Sequence, residues 1–284
     1  MGKNGLLIII LTAIIISACE IINPSEDIPA YIYIEKFDLV TTSIQGSDNH
    51  NITDAWVYIN GDEAGTYELP VTFPVLASGK CSVLIRAGIK HNGISNDRVI
   101  YPFYKKYEVN IDLEPKKIDT IHPVVYYLDE LKFSDLWMAD FEDAGLPLDT
   151  TPSSNVNLLQ VTDTITNSKV GEIFITEDKP NFYCVSDPIE LPVDGSVIYL
   201  EMDYRCNQSF SLGMIANLGT TTSSQQVFIF NSTDGQWNKI YIDLTYYTVD
   251  NPLAQSFSLF FSANKDDNVA TGNIALDNLK LLHL

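Results

Sequence analysis

Long apolar runs, positive charge, paired cysteines and helical periodicity are all scarce in this chain of 284 residues. No stretch reaches the roughly 20 apolar residues that a membrane-spanning helix requires. The longest, LLIIILTAIII from Leu6 to Ile16, has the length of a secretory-signal core. Lys and Arg total 17 against 37 Asp and Glu, a net charge of -20. That balance excludes nucleic acid as a partner, because phosphate backbones are bound by clustered cations. It equally excludes attachment to anionic lipid through basic residues. The four cysteines show no CxxC spacing, which excludes the common zinc and dithiol motifs. Cys81, Cys184 and Cys206 follow Cys19, and an odd number cannot pair fully within the chain. Cys184 and Cys206 flank the turn LPVDGS, close enough in sequence to bridge; we read both as small apolar core residues. His50, His91, His122 and His283 share no motif, and GxSxG, HExxH and Walker sequences are missing, so nothing marks nucleophilic, zinc or nucleotide chemistry. A carboxylate pair for glycoside hydrolysis is a spatial arrangement that spacing neither marks nor excludes. Between residues 30 and about 127 no window of ten or more residues carries helical spacing.

Strand formers are abundant instead. The chain holds 15 Tyr and 13 Phe, is 45% hydrophobic, and returns repeatedly to Val, Ile and Thr, residues suited to pleated, half-buried surfaces. Exposed carboxylates leave room for divalent cations. The apolar run ends in Ile16-Ser17-Ala18-Cys19. An aliphatic residue, two small residues and a cysteine after such a core resemble the bacterial lipobox. The resemblance implies removal of residues 1–18, acylation of Cys19 with palmitate or a similar chain, and membrane attachment through that lipid. Residues 19–29 are then a polar, proline-containing tether. Its Glu20, Glu26 and Asp27 loosely resemble the surface-export signals of Bacteroidota lipoproteins, which implies an outer-membrane lipoprotein with the face left open.

From residue 30 to 127 the pattern predicts an antiparallel β-sandwich. AYIYIEKFDLVTT alternates with period two, and Asn60-Gly61 sits between two β-rich runs, a hairpin signal. DAWVYINGDEAGTYELPVTFPVLASGKCSVLIRAGI resembles transthyretin-like or carboxypeptidase-regulatory sandwiches, which serve mostly as stalks and interaction modules. Residues 113–130, with two prolines and a polar centre, read as the link to a second β domain over residues 133–284. Its strands are separated by turns at Asp194-Gly195, Asp234-Gly235 and Thr271-Gly272, a spacing suited to a jelly roll. The whole is predicted to be all-β, a sandwich followed by a jelly roll.

Three landmarks of the second half, ADFEDAG, DGQWNKIYIDL and GNIALDNLKLLHL, resemble galactose-binding-like modules of the carbohydrate-binding type. That resemblance implies a structural calcium tying the first strand to the last. Its carboxylates would be Glu142 and Asp277, with Asp140 and Asp143 assisting; calcium takes six to eight oxygens. It also implies that Trp237 packs in the core. Sugar binding needs aromatic faces with polar groups beside them, and Tyr183, Tyr204, Tyr246 and Tyr247 are the candidates, with only one of the adjacent pair able to face the core if they lie on a strand. The tripeptides at Asp119, Asp149 and Asp163 resemble the O-glycosylation acceptor motif of Bacteroidota exported proteins and point to Thr120, Thr150 and Thr164, the first two in apparent loops. Together these readings predict a non-catalytic envelope lipoprotein that binds glycan or protein. The alternatives are a structural subunit of an envelope complex and a glycan-active hydrolase.

Overall fold

The computed structural model describes residues 28–284; the signal segment, Cys19 and most of the tether lie outside them. The first half contains β1 (Ala30–Ile34), β2 (Asp38–Leu39), β3 (Asp54–Ile59), β4 (Asp62–Glu68), β5 (Val71–Val75), β6 (Gly79–Lys90), β7 (Arg98–Ile100), β8 (Tyr107–Leu113), β9 (Ile118–Ile121) and β10 (Val124–Val125). The sheet β4-β3-β6-β7, with β8 also on β6, faces the smaller sheet β5-β1-β9. The predicted hairpin is present: Ile59 pairs with Asp62, and Asn60 and Gly61 adopt φ of 52° and 92°, the left-handed conformations a two-residue turn demands. Two pairings are parallel, β1 with β9 and β2 with β10. Both come from the segment read as a linker, which is folded into this half. Period-two patterning reports a strand without reporting its direction.

The second half contains β11 (Met138–Ala139), β12 (Leu148–Thr150), β13 (Leu159–Thr162), β14 (Lys169–Ile175), β15 (Asn181–Ser186), β16 (Ile198–Cys206), β17 (Phe210–Asn217), β18 (Thr222–Phe230), β19 (Asn238–Asp243), a short helix α1 (Thr245–Val249), β20 (Ser256–Asn264) and β21 (Gly272–His283). One sheet runs β13-β14-β21-β16-β19 with β11 on β21; the other runs β12-β15-β20-β17-β18. This is the all-β jelly-roll sandwich that the pattern predicts. Its core holds Leu200, Met202, Leu212, Met214, Phe257 and Phe261, all buried. Cys184 and Cys206 lie in it as free thiols, and Cys81 is a free, buried thiol of the first half. Burial pushes the Cys184 thiol up to about 12, which keeps it protonated and inert.

The two halves are joined over a broad face. In β16 every residue from Ile198 to Tyr204 is buried, which a strand achieves only when both faces are covered. Ile198, Leu200 and Met202 point into the jelly roll, while Tyr199, with Tyr241 and Leu282, joins the core of the first half. Tyr101, Phe103, Tyr104, Tyr127 and Phe133 meet them, with Tyr101 edge-on to Tyr199 at 5.4 Å. Within this contact Glu201 is fully buried. It accepts hydrogen bonds from the hydroxyls of Tyr101 at 2.7 Å and Tyr127 at 2.8 Å, and Lys239 lies 3.5 Å away. Burial, then the Glu201 charge, pushes both phenols well above their usual range. Among the described residues no helix is long and apolar enough to cross a membrane.

Candidate functional site

A cleft of about 450 Å³ opens where the two halves meet. The jelly roll supplies its floor from the end of β16, the end of β18, the following turn and the start of β19. Asp234 and Gly235 make that turn with φ of 51° and 76°, and the N–H groups of Thr233 and Gly235 both reach the Cys206 carbonyl. The turn is thus pinned to the sheet, and it presents Trp237. The Trp237 indole Nε1 donates to buried Asp163 at 2.7 Å, and the Arg205 guanidinium sits 5.4 Å from the ring centroid. The ring is half-buried and held in one orientation before any ligand arrives. Beside it Asn238 donates to the Tyr204 hydroxyl at 3.1 Å, and Phe230 packs edge-on against Tyr204 at 4.9 Å.

The first half supplies the opposite wall. Asn51 donates from its side chain to the Lys239 carbonyl at 2.9 Å, and its backbone N–H donates to the Tyr241 hydroxyl at 3.0 Å. A 3₁₀ turn at His91–Gly93 follows Lys90. His91 lies between Asp97, at 2.9 Å, and Asp243, at 3.3 Å, and the Asn92 side-chain oxygen accepts from the Asp243 N–H at 2.8 Å. A Cβ on Gly93, at φ 70°, would come 3.0 Å from Ile240. These contacts clamp the turn onto β19 and leave the amides of Asn92, Gln236 and Asn238 and the Lys90 side chain along the cleft.

A second cleft, of about 530 Å³, lies beyond Trp237. Asp140, Glu142, Asp203 and Asp277 line it together. Pairing of β11 with β21, Ala139 opposite Leu279, brings the first and last strands side by side, as calcium binding would require. Asp277 is 3% exposed and accepts from the Asn278 N–H at 2.7 Å and Ser168 Oγ at 3.3 Å. Burial pushes its carboxyl up to about 7, and Asp203 and Glu142 add to the rise. Glu142 accepts from the Lys169 N–H at 2.9 Å, and Asp140 from the Glu142 N–H at 3.1 Å. Among the described residues no group of three acidic, histidine or cysteine side chains is gathered closely enough to hold an ion. The expected ligands share a cleft without forming a ready coordination shell.

The aromatic candidates separate. Tyr246 and Tyr247 lie in α1, not on a strand. Tyr246 is 77% exposed, whereas Tyr247 is buried and donates to the Met214 carbonyl at 2.8 Å. Tyr183 stacks on Phe260 at 5.2 Å on the outer face of the other sheet. Only Tyr204 reaches the junction cleft, and Trp237, expected in the core, is its half-buried wall. Thr120 is exposed on β9 and Thr164 in a turn, while Thr150 is half-buried on β12 and accepts from the Leu158 N–H at 3.1 Å. Of the two threonines read as loop residues, neither is in a loop. Lys90, Asn51 and Asn92 escaped the sequence reading. Asn92-Gly93 is a turn signal, but nothing local places that turn against β19.

No protein-family model matches the chain, and no curated protein matches it. Among solved structures it is similar to the CBM22-2 xylan-binding domain of Paenibacillus barcinonensis, at TM-score 0.40 and 10% identity over 52% of this chain and 99% of that one. A family 11 carbohydrate-binding module from Clostridium thermocellum is similar at TM-score 0.36 and 15% identity, over 51% and 94%. The K1 cleaved adhesin domain of Lys-gingipain from Porphyromonas gingivalis gives TM-score 0.36 and 11% identity, over 51% and 96%. Scores this low carry neither ligand nor role across. The fold and its clefts define an all-β sandwich protein with a concave site shared between its two halves.

Proposed function

We propose that this protein is a non-catalytic glycan-binding lipoprotein of the cell envelope, tethered to the outer membrane by a lipid on Cys19. The observation that carries the binding role is the fixed indole of Trp237 in an open cleft lined by amide side chains. An aromatic face stacks on the apolar face of a sugar ring, and amides both donate to and accept from hydroxyls. Ring orientation is set by Asp163 and Arg205, so little ordering cost remains at binding. The lipid reading draws on the lipobox-like ending of the signal segment.

The test is a glycan array followed by titration calorimetry on the full mature chain. Trp237→Ala is expected to weaken binding of any glycan hit by at least about tenfold, the scale of losing a buried aromatic anchor. Trp237→Phe, which keeps a ring but loses the Asp163 hydrogen bond, is expected to retain part of it. A glycan that binds both variants like the parent places its site elsewhere and overturns the assignment.

A further inference from the structure

The junction cleft differs electrostatically from the rest of the molecule. In a chain with 37 acidic residues, no carboxylate among the described residues lines it. Four acids, Asp140, Glu142, Asp203 and Asp277, line the separate cleft beyond Trp237, and others around the junction cleft are engaged. Asp243 and Asp97 flank His91, Asp163 holds Trp237 and caps its own turn through the Ile165 N–H at 3.0 Å, and Asp234 bonds within its turn to Ser232. Two lysines line the cleft. Lys239 is buried and lies 3.5 Å from Glu201 and 3.6 Å from Asp203, so its charge is matched. Lys90 is half-buried and forms no ion pair or side-chain hydrogen bond among the described residues, although acids outnumber bases twofold in this chain.

An unmatched cation on the wall of a carboxylate-free cleft is arranged for an anion. We infer that the ligand is a glycan bearing an anionic group, a uronic-acid carboxylate or a sulfate, read by Lys90 while a neighbouring sugar ring stacks on Trp237. This deepens the glycan-binding reading and rests on it. The donors suit the task. Lys90 supplies the charge, and the amide groups of Asn231 and Gln236, both exposed at the cleft, supply neutral hydrogen bonds to the same group or to adjacent hydroxyls. The charge is read by the first half and the ring by the second, so the site exists only in the joined molecule. The overall negative charge opposes this ligand at long range. At physiological salt that field is screened beyond about 8 Å, whereas a contact at a partly buried lysine is screened far less.

The experiment uses the full mature chain and two matched pairs of polymers: polygalacturonate with its methyl ester, and dextran sulfate with dextran. Affinities are measured at low and at physiological salt for the parent, Lys90→Gln and Lys90→Arg, with melting curves to verify folding. The expected result is a preference of about tenfold for at least one acidic member over its neutral partner, the scale of one charge-assisted hydrogen bond. The preference should shrink with salt, disappear in Lys90→Gln and persist in Lys90→Arg. Preference for polygalacturonate alone identifies a carboxylate and for dextran sulfate alone a sulfate, and both support the inference. Equal binding of acidic and neutral partners, or an acidic preference that survives in folded Lys90→Gln, overturns it and leaves glycan binding standing. Absence of binding to all four polymers, with an array hit on a neutral glycan that needs Trp237, also overturns it. Absence of any glycan binding removes both readings.

Discussion

At the scale of single residues, Asp277 couples stability to pH. Its carboxyl titrates near 7 in the folded chain and near 3.9 when unfolded. Between those values the folded state holds a proton that the unfolded state has lost, so stability falls as pH rises from about 4 to about 7 and is level above that. Asp277→Asn mimics the protonated form and keeps an acceptor for the Asn278 N–H and a donor for Ser168. It is expected to raise the melting temperature at pH 8 by several degrees and to flatten the profile between pH 4 and 7, read by calorimetry. A fall in melting temperature at pH 8 would show that the charge is needed. Calcium offers a second way to relieve the repulsion, because a cation in the acidic cleft replaces the proton. We propose that millimolar calcium at pH 8 raises the melting temperature of the parent and that chelator reverses it. An ion would have to draw Glu142 from the Lys169 N–H, so the response is expected to be modest. Superimposable curves with calcium and chelator would remove calcium from the account.

At the scale of elements, the jelly roll depends on close approach between neighbouring strands. On β17 Gly213 lies under the Phe260 ring of β20, where an added Cβ would come 2.0 Å from Phe260 Cζ and 2.6 Å from the Gln225 carbonyl of β18. Phe260 in turn carries Tyr183. The ring is nearly buried and backbone closes the other side, so neither neighbour yields easily. Gly213→Ala is expected to cost about 2 kcal/mol, within the range for overpacked cores, measured by denaturant unfolding. A cost below about 0.5 kcal/mol would mean that Phe260 swings out freely, and the outer face of this sheet would then be less ordered than its packing suggests. The register break between Leu212 and Gly213 falls at the same place, as expected where an extra residue lets two strands pass a ring.

At the scale of the whole molecule, the two halves behave as one unit because their contact is a core. Tyr199, Tyr241 and Leu282 are completed by residues of the first half, and Glu201 is satisfied by Tyr101, Tyr127 and Lys239. The full chain is therefore expected to unfold in a single calorimetric transition. Residues 133–284 alone, treated as an independent domain by the sequence pattern, are expected to fold with a melting temperature at least about ten degrees lower, since three large apolar side chains and a matched charge become exposed. Glu201→Ala in the full chain should cost about 3 kcal/mol by leaving the Tyr101 and Tyr127 hydroxyls without their acceptor and Lys239 with Asp203 alone. Two separate transitions in the full chain, with Glu201→Ala near neutral, would reduce the contact to a loose one.

Period-two patterning, Asn-Gly and Asp-Gly turns and the absence of helical spacing were enough to determine an all-β chain of two sandwiches, because strand formation and turn geometry depend on neighbours in sequence. The Phe-Glu and last-strand landmarks were also enough to bring Glu142 and Asp277 to one cleft. Tertiary structure alone decided which faces are covered. β16 reads as a strand with one polar face, and only docking of the first half buries Tyr199, Glu201 and Asp203. The link at 113–130 looked polar and proved to be two strands, since parallel pairing to β1 and β2 is a long-range event. The junction cleft is of the same kind: His91 meets Asp243 across a separation of 152 residues, and Lys90 and Trp237 come to line one cleft through that docking. Propensity acts over a few residues, whereas a shared site depends on register and docking between elements far apart in the chain.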